Sequence, residues 1–200
     1  QGELPITDLG YSDPLCEAFI QGAIDEGIPL NKDYNGELQE GVSYIQRTTK
    51  GRFRVSAARA FLNPAKSRKN LNIITNAFVT KLMIENKIVT GVEFLKGGKN
   101  GRKVLISANK EVILSSGVIK SPHILQLSGV GSGRHLQKLG IDVIHDLKGV
   151  GMNLRDHFAP RMTARAKNVE TINEKSRGFK LLKEIGKYII GKQSIVNLSP

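Results

Sequence analysis

Alternating apolar and polar residues between positions 78 and 108 form the clearest pattern in the chain. The first predicted strand has two faces, one with Phe78, Thr80, Leu82 and Ile84, the other with Val79, Lys81 and Met83. Residues 86–87 supply a turn, and return strands are predicted over 88–95 and 103–108, joined by glycines at 97–98. Three consecutive strands of this kind predict an antiparallel meander.

The next segment changes pattern, because residues 112–114 are apolar without alternation. Such a run is typical of a strand buried on both faces, so it is predicted at the centre of a sheet. Ser121 is predicted to cap a following helix, with Pro122 in its first turn and Gly129 at its end. A strand, a turn of small residues and a helix together predict a pocket of backbone N–H groups suited to an anionic cofactor.

Weaker signals predict the other elements. A helix capped by Ser12 or Asp13 is predicted to end at Gly27, with Leu15, Ala18, Phe19 and Ala23 as its apolar stripe. Ser56 is predicted to cap a short helix that Pro64 ends. Also predicted are strands over 42–48, 141–145 and 161–166, a helix over 133–139, and a turn with a short helical segment over 150–157.

An amphipathic helix is predicted over 177–190. Phe179, Leu182 and Ile189 are expected to face inward, and Lys180, Lys183 and Lys187 outward. A basic amphipathic helix can lie on an anionic membrane. The other interpretation, which we take as the main expectation, is an ordinary solvated basic face.

Composition narrows the class of protein. The chain has 200 residues and a net charge of +12, but its cations are scattered and accompany no nucleic-acid-binding motif. We therefore expect no nucleic-acid partner, and a basic surface that favours a diphosphate or another part of the protein. No pair of histidine, cysteine or carboxylate residues has the spacing of zinc ligands, so no metal site is expected. Cys16, the single cysteine, is expected to be a small buried hydrophobe.

No membrane span or secretory signal is evident, so a cytoplasmic location is expected, with membrane association left open.

The run from Gly117 to Gly131 resembles the second signature motif of the glucose-methanol-choline (GMC) oxidoreductases. Every fixed position matches except Val118, where the family usually has a smaller residue or proline. Residues 146–157 resemble a second family segment, with Lys148 in place of the usual proline. Residues 39–41, 54–62 and 70–93 are also similar to bacterial members, so nearly the whole chain is covered.

The resemblance implies a mixed α/β fold and an FAD enzyme that oxidises the CH–OH group of a small-molecule alcohol by hydride transfer to flavin. It implies a substrate-domain portion over 1–50, the central part of the FAD domain over 51–157, and a second substrate-domain portion over 158–200. The family's catalytic histidine and its glycine-rich ADP loop have no match here. We therefore expect a fragment that is inactive alone and contains no catalytic residue.

The resemblance also implies seven cofactor-binding residues. These are Val79 at the adenine, Ser116, Gly117 and Ser121 at the adenosine-diphosphate half, and Asn153, Asp156 and His157 beside the flavin. His157 can equally be a structural histidine. Val79 can be ordinary core packing of a strand, and Ser116 with Gly117 can be an ordinary turn between a strand and a helix. Ala159 stands where choline-acting members tend to carry a glutamate, which disfavours choline as substrate. The alternative function is a non-catalytic basic binding module on a flavoenzyme-derived scaffold.

Overall fold

The computed structural model describes residues 2–51, 53–160 and 162–198. The chain divides into two compact units, one formed by residues 1–71 with 162–200 and the other by residues 72–161. The strands are β1 (Thr49–Lys50), β2 (Phe53–Arg54), β3 (Ala77–Glu85), β4 (Ile88–Lys96), β5 (Arg102–Ser107), β6 (Val130–Gly131) and β7 (His145–Asp146). The α-helices are α1 (Pro14–Asp25), α2 (Asn63–Ala65), α3 (Gly117–Leu127), α4 (Gly133–Lys138), α5 (Ile172–Lys175) and α6 (Gly178–Ile189).

The predicted meander is confirmed as a three-stranded antiparallel sheet in the order β3-β4-β5. Asn86 and Lys87 both have positive φ angles, 51° and 66°, which is the backbone of the tight hairpin turn that suits twisted strands. The register shifts between Val79 and Lys81 and again between Met83 and Ile84. The first shift leaves Thr80 as an extra residue on β3, and the second leaves Thr90 as an extra residue on β4. The alternation of faces predicted for β3 is therefore interrupted at Thr80, where the extra residue forms a bulge.

The strand predicted over 112–114 is wrong, since these residues have no regular structure and Ile113 is exposed. A central strand needs a hydrogen-bonded neighbour on each side. Among the described residues no strand pairs with this run. The apolar composition therefore shows that the segment could form a strand, but it does not show which strands would pair with it.

Helix α3 begins at Gly117, four residues before the predicted cap. Ser121 and Pro122 consequently lie inside the helix, which corrects the prediction that they form its cap and first position. The hydroxyl of Ser121 instead accepts a hydrogen bond from the Ser116 N–H at 3.0 Å. The predicted end is confirmed, because Gly129 follows the helix with a φ of +81°.

Two short strands and α4 follow the motif helix. β6 and β7 pair in parallel, so the strand predicted over 141–145 is reduced to its last residue, His145, with Asp146 added. Ser132 precedes α4 as predicted, but its side chain makes no capping bond. The Asp146 carboxylate accepts from the Gly133 N–H at 2.8 Å and satisfies the helix N-terminus from a distant position.

The first helix of the unit formed by residues 1–71 and 162–200 is α1, whose N-cap is Asp13, one of the two caps predicted. Ala18 and Phe19 are exposed, so only part of the predicted stripe is covered. The strand predicted over 42–48 is wrong. It is replaced by two isolated bridges, Leu30 with Val42 and Thr7 with Arg47, and by the small hairpin of β1 and β2.

Pro64 does not end the helix that follows Ser56, contrary to the prediction. Residues Ala58–Leu62 form a π-helix, and α2 continues through Pro64. In a regular α-helix the Ala60 carbonyl would need the N–H that Pro64 lacks, and widening the turn removes that requirement.

Two further predictions fail near the C-terminal part of the chain. Residues 162–166 have no regular structure, and Arg161 lies outside the described residues. α6 forms as predicted, but Phe179, Leu182 and Ile189 face outward rather than inward. Within the described part of the chain, no helix has the length and apolarity needed to cross a membrane.

Candidate functional site

The N-terminus of α3 presents unpaired backbone donors. No hydrogen-bond partner is found among the described residues for the N–H groups of Gly117, Val118 and Ile119, which open the helix. Both Val118 and Ile119 are exposed, so the same surface is accessible to a ligand. A helix N-terminus with free amides and its positive dipole end attracts anions.

Gly117 is the residue that allows the chain to enter α3 at this angle. Its φ is +82°, a conformation in which an L side chain is strained, and a Cβ added there would meet no atom within 4 Å. Glycine is therefore favoured at position 117 by the positive φ angle and not by crowding from other atoms of the chain. The space in front of it is open to an external group.

Ser116 and Ser121 fix the turn that precedes the helix. The Ser121 hydroxyl accepts the Ser116 N–H at 3.0 Å, so the Ser116 donor is already occupied within the chain. The three N–H groups after it remain available. Ser121 thus shapes the entrance of the helix from within α3 and does not occupy the capping position inferred from sequence.

A second segment packs directly against α3. The Gln126 amide nitrogen donates to the Val150 carbonyl at 3.2 Å. A Cβ added to Gly151 would lie 2.9 Å from the same Gln126 nitrogen and 3.9 Å from Pro122 Cβ. The two sequence segments that resemble family motifs are therefore adjacent in space, and the glycine at 151 permits the contact.

Asn153, Asp156 and His157 follow this contact as an exposed, irregular stretch. The prediction of a short helical segment here is wrong, because a turn ends at Gly151 and no helix forms after it. Asn153 has a φ of +58°, which asparagine tolerates better than most residues. The Asp156 carboxylate accepts the His157 N–H at 2.8 Å. The three side chains are therefore not aligned on one side of a helical turn.

Val79 lies on a different element from the other predicted site residues. It is half-buried on β3, opposite Phe94 of β4. α3 packs against β3, so the meander and the motif helix form one structure. The hydroxyl of Ser128, just after α3, accepts the Leu82 N–H at 2.8 Å and donates to the Ile124 carbonyl at 2.6 Å.

Sequence reasoning missed Gln126, Ser128 and Asp146 as the residues that hold the site together. Ser128 was a fixed position of the motif, which was the available signal, whereas Gln126 occupies a free position and gave none. An anionic group with several acceptor oxygens, such as a diphosphate, fits the donors at the start of α3. The residues present are chemically suited to that part of a dinucleotide.

The motif helix α3, with its open N-terminus, and the adjoining meander thus form one α/β unit. Comparison with known proteins identifies the family: a model described as GMC oxidoreductase matches residues 1–159. The chain belongs to the GMC oxidoreductase family. The mixed α/β fold expected from the sequence is confirmed by structural neighbours in the same family.

Three relatives illustrate the similarity. The chain is 42% identical over 157 residues to an alcohol dehydrogenase [acceptor] of Pseudomonas putida, covering 78% of this chain and 28% of the relative. It is 48% identical over 145 residues to an oxygen-dependent choline dehydrogenase of Staphylococcus saprophyticus, covering 72% and 25%. A solved FAD-dependent oxidoreductase from Chaetomium thermophilum superposes with a TM-score of 0.87 at 27% identity, covering 98% of this chain and 34% of that one. The chain therefore spans about a quarter of the curated relatives' length, 28% and 25%.

Proposed function

We propose that this chain is the middle part of an FAD-dependent alcohol oxidoreductase. FAD supplies, when bound, the acceptor for the hydride that leaves the alcohol carbon. The family membership, with relatives whose names include alcohol dehydrogenase and FAD-dependent oxidoreductase, supports this function. The substrate class proposed is a small-molecule alcohol.

The observation that carries the proposal is the open N-terminus of α3, a helix that also contacts the glycine-bearing turn at 149–151 through Pro122 and Gln126. Gly117, Val118 and Ile119 would donate their N–H groups to the diphosphate of the cofactor. The hydrogen bond between the Ser116 N–H and the Ser121 hydroxyl would fix the turn that leads into that site. Val79 is proposed to contact the adenine, and Asn153, Asp156 and His157 the flavin side.

The compact unit over residues 72–161 is proposed as the flavin-binding portion, and the other unit as the substrate-domain portion. Under this proposal residues 51–71 belong to the substrate-domain portion. The first boundary between the two portions then lies between residues 71 and 72, and not between residues 50 and 51 as inferred from sequence. We assign no catalytic residue to this chain. The base that removes the alcohol proton is proposed to come from another part of the complete enzyme.

A matched pair of glycines tests the cofactor site in the complete enzyme. Gly117 and Gly178 both open a helix, both have positive φ, and neither has an atom within 4 Å of an added Cβ. Gly117→Ala and Gly178→Ala therefore impose similar backbone strain. We expect Gly117→Ala to weaken FAD binding at least about tenfold and Gly178→Ala to leave it unchanged, measured by flavin fluorescence titration of the apoenzyme.

Equal FAD affinity in the two variants would contradict the assignment of α3 as the diphosphate site. A second measurement tests the assignment of catalysis. The 200-residue chain with added FAD should show no alcohol-dependent flavin reduction under anaerobic conditions. Turnover by the chain alone would overturn the proposal that the base lies elsewhere.

A further inference from the structure

Helix α6 buries a charged residue and exposes its apolar face, the reverse of an ordinary surface helix. Its buried residue is the charged Glu184, which is 7% exposed, whereas Phe179 and Leu182 are 86% and 61% exposed. Ile185 extends the same outward side and is 37% exposed. Residues three apart lie on one face of a helix, so these three side chains form a continuous apolar stripe. We call Phe179, Leu182 and Ile185 the outer stripe of α6.

The orientation is set by polar bonds on the inner side. The Glu184 carboxylate accepts the Ile195 N–H at 3.1 Å and pairs with the Lys187 ammonium at 2.5 Å. The fully buried Ser194 donates its hydroxyl to the Glu184 carbonyl at 2.7 Å. Turning the outer stripe inward would break these bonds and strand a buried carboxylate, so the outward position of the stripe is built into the fold.

Positive charge borders the outer stripe. At about 100° per residue, Lys183 lies beside Phe179 around the helix, and Lys180 and Lys187 follow on the same flank. Lys180 pairs with Glu170 at 2.6 Å and Lys187 with Glu184. Lys183 is exposed, and it has no ion-pair partner among the described residues. An exposed apolar stripe flanked by lysine is complementary to a surface that is apolar inside and anionic outside.

We propose that α6 is a membrane-surface helix, with Phe179 and Leu182 entering the boundary between headgroups and acyl chains and Lys183 meeting anionic headgroups. At 1.5 Å per residue, a helix of this length is about 18 Å long and lies in the interface plane without crossing the bilayer. The net charge of +12 acts in the same direction by attracting the chain to an anionic surface. This proposal departs from the expectation of an ordinary solvated face and is independent of FAD binding.

Vesicle co-sedimentation of the complete enzyme tests this proposal. Binding is compared on vesicles of equal phosphatidylglycerol and phosphatidylcholine and on vesicles of phosphatidylcholine alone, at low and high salt. We expect binding to the anionic vesicles that falls as salt rises. The double variant Phe179→Ser/Leu182→Ser should bind at least about tenfold more weakly, and Lys183→Gln roughly fivefold more weakly.

Phe19→Ser is the matched control, because Phe19 is a helical aromatic residue of the same unit and is 75% exposed. Its variant should bind vesicles like the unaltered enzyme. Flavin content is measured in parallel, so that a failure of the cofactor assignment is seen separately. Equal vesicle binding by the double variant and the control, or no binding by the unaltered enzyme, overturns the proposal.

The other possible occupant of the stripe is protein. If another part of the enzyme or a second copy covers it, Phe179→Ser/Leu182→Ser will lower the melting temperature or change the sedimentation coefficient without vesicles present, while Phe19→Ser will not. That result also overturns the proposal. Unchanged stability and mass together with lost vesicle binding support it.

Discussion

The carboxylate of Asp13 and the ammonium of Lys175 lie 3.1 Å apart although 162 residues separate them in the chain. The Asp13 side chain is almost fully buried, and it also caps α1 by accepting the Leu15 N–H at 3.1 Å. The Tyr11 hydroxyl donates to it at 3.3 Å. One carboxylate therefore joins the beginning of the chain to its C-terminal part within a single compact unit.

Removing either partner of this pair should destabilise the unit formed by residues 1–71 and 162–200. We expect Lys175→Met to lower the free energy of unfolding by about 3 kcal/mol, because it leaves a buried carboxylate without its counter-charge. Asp13→Asn should cost a similar amount and also weaken the cap of α1. Urea unfolding followed by circular dichroism measures both. Lys183→Met, at an exposed lysine without an ion pair in the described structure, is the control and should change stability by less than about 0.5 kcal/mol.

The same pair predicts a pH dependence. Burial acts to raise the pKa of Asp13, but the hydrogen bonds from Lys175 and Leu15 outweigh it and hold the pKa below its ordinary value. A carboxyl group with a lowered pKa contributes stability above its unfolded pKa, near 4, and loses it as pH falls through the folded value. The stability difference between the unaltered chain and Asp13→Asn should therefore shrink on acidification below about pH 4. A difference that stays constant down to pH 2 would contradict this account.

Glu93 connects all three strands of the meander. Its carboxylate accepts the Thr80 hydroxyl at 2.7 Å and lies 3.2 Å from the Lys103 ammonium. The Thr80 hydrogen bond is the main cause of the lowered pKa of Glu93, and Lys103 adds to it against the opposing effect of burial. The buried carboxylate in this sheet thus has a polar partner on each neighbouring strand.

Glu93→Gln should lower the free energy of unfolding at pH 7 by about 1–2 kcal/mol, because a neutral amide replaces a charge-assisted acceptor. The lowered pKa means that this contribution is present above pH 4.3 or so and is lost as pH falls through the folded value. Lys103→Met keeps the Thr80 bond and removes a mostly exposed cation, so its effect should stay below about 1 kcal/mol. Chemical unfolding of both variants at pH 7 and pH 3 checks the ranking, and a larger loss in Lys103→Met would refute it.

The parts of the fold that sequence predicted are those set by neighbouring residues. Asn86 and Lys87 specify a hairpin turn because both adopt positive φ, and Asp13 caps α1 two residues from the N–H it accepts. The failures arise where the partner is distant or belongs to another strand. The run at 112–114 has strand composition without a described neighbour to pair with.

The candidate site divides in the same way. The sequence predicted a turn of small residues at Gly117, where the φ is +82°, but predicted the helix start at Ser121, since serine followed by proline is a strong local cap signal. The observed bond from Ser116 to Ser121 uses that serine differently. Prediction and structure differ most at α6. The helical pattern shows that the helix has an apolar face, but it does not show that the hydrogen bonds of Glu184 turn the opposite face inward.

Ser128 should be a stability residue rather than a ligand-binding one, although it belongs to the signature motif. It is buried, and its hydroxyl bridges the Leu82 N–H of the outer strand β3 and the Ile124 carbonyl of α3. Ser128→Ala should cost about 1–3 kcal/mol, because the buried Leu82 N–H loses its acceptor. Thermal unfolding of the complete enzyme with FAD in excess measures the change. Ser115→Ala, at an exposed serine, is the control, and equal melting temperatures for the two variants would show that the bridge contributes nothing.

Gly151 tests whether the second motif segment depends on its contact with α3. Its φ is +80°, and an added Cβ would lie 2.9 Å from the Gln126 amide nitrogen, whereas Gly149 has no atom within 4 Å of an added Cβ. Gly151→Ala should therefore destabilise the protein by roughly 1–3 kcal/mol through backbone strain and displacement of Gln126, and Gly149→Ala should do much less. Combining Gly151→Ala with Gln126→Ala separates the two causes, since it relieves the crowding but leaves the backbone strain. If residues 153–157 line the flavin, Gly151→Ala will also lower flavin content, and a stable variant with full flavin would separate this segment from the cofactor site.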